Sequence, residues 1–183
     1  MRFPDADRLS LPCRFERFVP GRLHGDGRRY LPLIVLRPDT ADAPSLAVVD
    51  RHHRVDPALE GRRGVARLVF LLSSLRLQTP PPRRGLVAEA GLPAGAPSAA
   101  PFAYGQVLAV PTWETGAVEL PYEALHAELL LDVGAGVIGV RTNATAASLA
   151  EQLGTPRLEP GDWLIVTRSR VDILGFTPSD QPL

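Results

Sequence analysis

The sequence predicts a mostly β protein of two small barrels, each with five strands and a short helix between the third and fourth strands. Short apolar runs separated by Gly, Pro and Asp recur along the chain, which is typical of all-β domains. The same order of strands and helix can be read on either side of a segment rich in Pro, Gly and Ala. We therefore expect a first barrel over residues 1–78, a linker over residues 79–101 and a second barrel over residues 102–183.

The first half has the pattern of strands joined by tight turns. Leu11, Cys13 and Phe15 alternate with polar or exposed types, and Asp26-Gly27 is a strong signal for a two-residue hairpin turn. The other predicted elements are strands over residues 30–36 and 45–50, one helical turn over residues 56–60 and a long strand over residues 65–78 with a bend at Ser73-Ser74. Periodicity alone does not distinguish that last strand from a helix.

The linker prediction depends on composition. Fifteen of the 23 residues from 79 to 101 are Pro, Gly or Ala, and they show no helical or strand period. Such a segment is typical of a linker or a long mobile loop.

The second half repeats the plan of the first. We expect strands over residues 104–110, 127–133, 137–142, 163–167 and 170–176, with an acidic excursion over residues 112–123 after the first of them. The one clear helix covers residues 144–153, because Ala146, Leu149, Ala150 and Leu153 share a face and Gly154 follows as a stop.

This order resembles the OB-fold, a five-stranded Greek-key barrel with a helix between strands 3 and 4. Residues 158–166, Leu-Glu-Pro-Gly-Asp-Trp-Leu-Ile-Val, resemble the start of the fourth strand in such barrels. The resemblance covers residues 102–176 and, more weakly, 9–78, and residues 64–78 and 161–176 occupy corresponding places in a degenerate repeat. A single larger barrel or an SH3-like pair is the alternative. The resemblance implies binding of single-stranded nucleic acid, as in proteins of the replication protein A type.

Composition excludes several chemistries. All 20 basic residues are arginine, so the chain has no lysine for a Schiff base, a P-loop or a kinase active site. Codon usage in a GC-rich genome is the main explanation that we favour for this bias. The single cysteine, Cys13, excludes an intramolecular disulfide and, with no signal-length or membrane-length apolar run, favours the cytoplasm.

The net charge of zero hides two opposite halves. Residues 1–100 carry 16 Arg and 10 acidic residues, whereas residues 101–183 carry 4 Arg and 10 acidic residues. The basic half could contact nucleic acid, or the two halves could simply dock on each other.

The OB-like interpretation places a groove on strands 2 and 3, bounded by the loops between strands 1 and 2 and between strands 4 and 5. Arginines would neutralise phosphates there, and Tyr30 or Phe18 would stack on bases. The predicted nucleic-acid-binding residues are Arg14, Arg17, Phe18, Arg28, Arg29, Tyr30, Arg51, Arg54, Arg83 and Arg84. A solvated arginine surface is the alternative for each arginine.

The second half offers fewer candidates. They are Tyr104, Trp113, Arg141, Arg168 and Arg170, whereas Glu114, Glu119 and Glu123 would repel phosphate. Trp163 opens a strand and is expected in the core. The acidic half is the predicted docking surface for a protein partner or for self-association.

No motif indicates an enzyme, a cofactor or a metal site. His52 and His53 are adjacent on an extended segment, so their side chains would point to opposite faces. The sequence thus predicts a non-enzymatic protein without cofactor that binds nucleic acid, most simply single-stranded DNA. The alternative is a protein-interaction or assembly module of the same fold.

Overall fold

The computed structural model describes residues 6–71, 73–110, 129–141, 151–155, 158–167 and 169–179, and it is mostly β, with 49% strand and 6% helix. Two short 3-10 helices cover Ala6–Arg8 and Pro57–Leu59. The strands of the described ranges are β1 Leu11–Val19, β2 Leu33–Pro38, β3 Leu46–Val49, β4 Arg63–Leu71, β5 Ser74–Leu77, β6 Gly85–Val87, β7 Phe102–Ala109, β8 Leu129–Asp132, β9 Val137–Val140, β10 Trp163–Thr167 and β11 Arg170–Pro178.

Five strands close into a barrel. β1 pairs with β2, β2 with β3, β3 with β11, β11 with β4, and β4 with β1. The β3–β11 pairing is parallel and the other four are antiparallel. A 3-10 helix lies between the third and fourth strands of the chain. The barrel is therefore consistent with an OB-like barrel, but its fifth strand, β11, comes from the far end of the sequence.

The other six strands extend the same sheet. Starting from β4, the order is β9, β8, β7, β10 and β5, and β6 pairs with β7. β5 follows β4 after only two residues, so this row of strands returns to the chain segment from which it started. The expected pair of tandem barrels is not confirmed, because the strand pairings cross the boundary at residues 79–101. Whether each half folds alone stays a prediction.

Strands of the two halves pair with each other because each half contains one long extended segment that is broken near its middle. Residues 63–77 form β4 and β5 with a break near Ser73, and residues 163–178 form β10 and β11 with a break near Ser169. Each segment pairs in two parts of the sheet. The two breaks meet, since the Ser73 and Ser169 hydroxyl oxygens are 2.7 Å apart and buried.

The expected linker carries structure of its own. β6 pairs with β7, and Ser98 bridges to Leu46 at the start of β3. Leu86 is buried, and Ser98 is buried and hydrogen-bonded to Glu89. Residues 85–87 and Ser98 therefore pair with other strands, whereas residues 93–95 are exposed. Whether residues 79–101 link two separate domains stays a prediction.

The core is continuous across the two halves. One buried cluster contains Phe15, Leu36 and Phe70 together with Leu131 and Leu164. A smaller cluster on the other face of β4 includes Val69 and Leu130. β4 is thus apolar on both faces, which explains the long apolar run that the sequence showed there.

Several local predictions are confirmed. The helical turn covers Pro57–Leu59, and the Asp56 side chain accepts a hydrogen bond from the Ala58 amide at 2.9 Å. The bend falls at Ser73-Ser74, and β10 has the predicted bounds. Of the helix expected over residues 144–153, residues 151–153 are described as helical, and Gly154 ends it with a φ of 65°.

Candidate nucleic-acid interface

A cleft of about 540 Å³ opens at one end of the closed barrel. It lies where β1 ends at Val19, β2 begins at Leu33, β3 ends at Val49 and β11 begins at Arg170. The other lining residues, Pro20, Gly21, Arg22, Tyr30 and Leu31, belong to the loop between β1 and β2. Barrel mouths are common sites for ligands, and this one combines an apolar lining with two arginines.

The β1–β2 loop is itself a short hairpin. The Gly27 amide donates to the His24 carbonyl, the Tyr30 amide donates to the Arg22 carbonyl, and Gly27 has a φ of 81°. The Asp26 carboxylate accepts a hydrogen bond from the Arg28 amide at 3.0 Å. A hairpin is therefore present where Asp26-Gly27 predicted one, and Gly27 takes the positive φ at low cost. Its turn is not the predicted two-residue type, because the His24 amide donates to the Arg28 carbonyl and three residues lie between them.

The loop presents apolar and aromatic side chains to solvent. Leu23, Tyr30 and Leu31 are 62%, 57% and 41% exposed, and they are three of the five large hydrophobic side chains that the described residues expose. His24 stacks on Tyr30 with ring centroids 3.6 Å apart. A base that stacked on the opposite face of Tyr30 would extend a π-stack that already exists.

Arg170 is held at the cleft by a buried carboxylate. Its Nε and Nη2 donate to the two oxygens of Asp172 at 2.7 and 3.1 Å, and Asp172 is fully buried. The Arg51 Nε is buried 3.7 Å from the same carboxylate and has no hydrogen-bond partner. Two guanidinium groups therefore lie beside the Asp172 carboxylate, and one of them, Arg170, lines the cleft.

A second carboxylate shapes the turn after β3. Asp50 is buried, and its oxygens accept hydrogen bonds from the amides of Arg54 and Val55 at 2.9 and 3.0 Å. The turn includes His53 at a φ of 50°. Arg54 is exposed there, and Arg51 lies at the start of the turn, next to Val49 and Asp50.

Two of the three predicted residues on β1 face outward from the barrel wall. Arg14 and Arg17 are exposed, whereas Phe18 is half-buried and packs against the core. Phe18 is therefore a poorer stacking platform than Tyr30. Arg28 and Arg29 are exposed in the β1–β2 loop, and Arg29 donates to the Gly21 carbonyl at 3.3 Å.

Arg83 and Arg84 lie elsewhere, on the strands outside the closed barrel. Arg83 stacks over Tyr104, with 3.8 Å from its Cζ to the ring centroid, and Arg84 lies over Trp163 at 4.7 Å. Arg84 also pairs with Asp132 at 2.9 Å. These contacts fasten the segment before β6 to β7, β8 and β10. Arg83 and Arg84 are thus not among the residues that line the cleft, whereas Tyr30 and Arg170 are.

Of the remaining second-half candidates, the structure describes Arg170, Tyr104 and Arg141, and it places them in three different surroundings. Arg170 lines the cleft, and Tyr104 lies under Arg83. Arg141 is half-buried after β9, where its backbone bonds to Phe70 and Ser73. Trp113 and Arg168 lie outside the described residues, as does the acidic excursion over residues 112–123. Trp163 is half-buried.

Four residues that were not predicted as site residues lie in the cleft or contact predicted site residues in the structure: Arg22, Arg37, Arg63 and Asp172. Arg22 follows the first strand directly and could have been read as part of the loop. Arg37 and Arg63 become neighbours of Arg14 only through strand pairing. Asp172 sits inside an apolar run, and a lone carboxylate in such a run is a signal for a buried partner of arginine.

Other site types find no support within the described ranges. No three His, Cys, Asp or Glu side chains there are placed to hold a metal ion. No described helix is long and apolar enough to span a membrane. Cys13 is fully buried, and burial raises the pKa of its thiol to about 12.

Comparison with known proteins gives no relative. No protein family, no curated protein and no solved structure matches the chain.

Proposed function

We propose that the chain binds single-stranded nucleic acid at the mouth of its closed barrel, without catalysing a reaction. The observation that carries this proposal is the cleft, which combines an apolar lining, an exposed tyrosine at its rim and arginines on two sides. A base would enter against Leu31 and Leu33 or stack on Tyr30. The neighbouring phosphates would meet Arg22 and Arg170.

The proposal includes the finer interpretation of the fold. We take the barrel to be OB-like, and we take β7, β8, β9, β10 and the β4–β5 segment to form a second barrel of the same plan. Two pairings support this. The parallel pairing of β9 with β4 corresponds to the parallel pairing of β3 with β11 in the closed barrel. β10 pairs with β7 on one side and with β5 on the other, which joins both ends of this row of strands to the β4–β5 segment. Each barrel would then receive its last strand from the other half of the chain.

The experiment is a fluorescence anisotropy titration of labelled dT20 and of a 20-base-pair duplex at 50 and 200 mM NaCl. Binding of dT20 should weaken steeply with salt, because arginine contacts release counterions. Tyr30→Ala should weaken it about 5- to 150-fold, the effect of one lost stacking contact of about 1–3 kcal/mol, whereas Tyr30→Phe should retain it. Arg22→Gln should lower the salt slope by about 0.7.

Matched controls come from β5. Arg76 and Leu77 are exposed there, outside the closed barrel. Arg76→Gln and Leu77→Ala should leave dT20 affinity unchanged. Absence of dT20 binding at 50 mM NaCl would refute the proposal, and equal affinity for the duplex would refute its restriction to single strands.

A second candidate function is favoured by one observation. Leu23 and Leu31 expose apolar surface beside Tyr30, which is also typical of a protein-interaction site. An assembly module would self-associate through this loop. Sedimentation analysis would then show a concentration-dependent oligomer that Leu23→Ser dissociates and that salt barely affects.

A further inference from the structure

Three arginines on neighbouring strands form a row across the outer wall of the barrel. Arg14 on β1 is the direct partner of Arg37 on β2 and of Arg63 on β4. Direct partners in antiparallel strands lie about 5 Å apart and point to the same face. The row Arg63–Arg14–Arg37 thus places three guanidinium groups across about 10 Å of the sheet.

One carboxylate lies beside the row and is hydrogen-bonded only to the arginine at one end of it. The Glu16 side chain accepts hydrogen bonds from Arg37 Nε at 2.5 Å and from the Ser45 hydroxyl at 3.0 Å, so both of its oxygens are engaged. Partial burial raises the pKa of Glu16, but these hydrogen bonds and the charges of Arg37 and Arg14 outweigh it, so the net shift is downward. Glu16 therefore stays ionised as part of the row.

Arg14 and Arg63 make no hydrogen-bonded ion pair of this kind, although the charge of Arg14 also acts on Glu16. Both are exposed, and neither makes an ion pair with another residue that the structure describes. Asp39 lies beyond Pro38, where its amide bonds to the Pro12 carbonyl, and it makes no ion pair with the row. Like charges placed directly opposite each other in a sheet are unfavourable, so the bare row lowers stability unless an anion neutralises it.

The row lies on the strand that leads to the cleft. Arg14 and Val19 are five residues apart on β1, a distance of about 16 Å along a strand, and exposed Arg17 lies between them. A linear anion seated in the cleft could therefore follow β1 to the row. Guanidinium groups suit this role, because their planar donors bind phosphate oxygens in pairs.

We propose that Arg63–Arg14–Arg37 is a second anion site, which binds linked phosphates of a strand that extends from the cleft along β1. This second site rests on the proposed function in one respect: we take the linked phosphates to be the backbone of the oligonucleotide that is bound in the cleft. The ligand is accordingly a strand of several nucleotides, because a mononucleotide in the cleft would leave the row empty.

The test compares two double variants that lose the same charge. Arg14→Gln with Arg63→Gln removes two members of the row, and Arg8→Gln with Arg76→Gln removes two exposed arginines elsewhere. Binding of labelled dT20 is measured between 50 and 300 mM NaCl, with sodium polyphosphate as a competitor that has no bases. Thermal unfolding of each variant shows whether it folds.

The row variant should lower the salt slope for dT20 by about 1.4, since each lost single-strand phosphate contact accounts for about 0.7. The control variant should leave the slope near that of the unaltered chain. The row variant should also unfold at the same or a higher temperature, because it relieves repulsion. Polyphosphate should compete with dT20 for the unaltered chain and less well for the row variant.

The possible negative results distinguish failure of the second anion site from failure of the proposed function. Equal salt slopes for dT20 in the two double variants would refute the second anion site. The proposed function would still stand if Tyr30→Ala weakened dT20 binding. Binding of polyphosphate through the row without any binding of dT20 would overturn the proposed function and keep the row as a polyphosphate site. Binding of neither ligand would overturn both.

Discussion

A chain that ends at residue 101 should fail to fold, because the closed barrel takes its fifth strand from the other end of the sequence. Such a fragment keeps β1 to β4 but lacks β11, which pairs with β4 from Arg170↔Leu71 to Pro178↔Gly64. The fragment would leave β4 with an unpaired edge and the core open on one side. The sequence-based division at residues 79–101 predicts the opposite, an independent first barrel.

The loss of stability in this fragment can be worked out from three buried side chains of β11. Val171, Ile173 and Leu174 are at most 7% exposed, and burial of each such side chain contributes about 1.5–3 kcal/mol. Their loss therefore costs about 5–9 kcal/mol, which compares with a total stability of about 5–15 kcal/mol for a whole domain. The lost ladder of hydrogen bonds adds to this cost.

The assay is circular dichroism with thermal unfolding, together with a two-dimensional amide NMR spectrum, for the fragment and for the full chain. The full chain should unfold cooperatively, and the fragment should show no cooperative transition and little chemical-shift dispersion. Addition of a peptide of residues 161–179 should restore dispersion in part. A fragment 1–101 that unfolds cooperatively near the midpoint of the full chain would refute the reasoning.

Three further predictions follow from single residues. Iodoacetamide should leave Cys13 unmodified at pH 8 in the native chain and label it fully in urea, because burial raises the thiol pKa to about 12; rapid native labelling would show that β1 opens. Glu16 has a lowered pKa, so its stabilising contribution is present above pH 4.5 and is lost as the pH falls through its folded value. Glu16→Gln should therefore flatten the loss of stability below pH 4.5 in urea titrations, and Glu159→Gln, an exposed control, should not. Gly21→Ala should weaken dT20 binding and lower the unfolding midpoint, since a Cβ would overlap the Tyr30 backbone carbonyl and displace the loop. Gly25→Ala, which has open space around it, is the control, and equal effects of the two would contradict this account.

The sequence predicted the local features of the fold, namely the turns, the short helical turn and the apolar face of β1. Asp26-Gly27 specified a turn because glycine alone adopts its backbone angles at low cost, and Asp56-Pro57 specified a helical turn because the aspartate caps the free amides. Alternation along β1 correctly assigned Leu11, Cys13 and Phe15 to the core. These signals act over a few residues, so neighbouring side chains suffice to determine them.

The candidate site was readable only in part. Tyr30 could be predicted as an exposed platform because it lies beside the hairpin turn. The position of Arg170 could not, because it depends on the pairing of β11 with strands about 100 residues earlier in the chain. Arg83 and Arg84 resembled loop cations, yet they stack on Tyr104 and Trp163 through contacts that no local pattern shows.

By itself, the sequence determined that the protein is mostly β, where its turns and most of its strands lie, and that all of its Lys and Arg positions are arginine. Only the tertiary structure decided which strands pair, and hence that β11 closes the barrel around the first half, that Asp172 holds Arg170 at the cleft and that Arg63, Arg14 and Arg37 form a row. The physical reason is the range of the interactions. Alternation fixes which face of a strand is apolar, whereas the choice of partner strand depends on burying all the apolar faces at once.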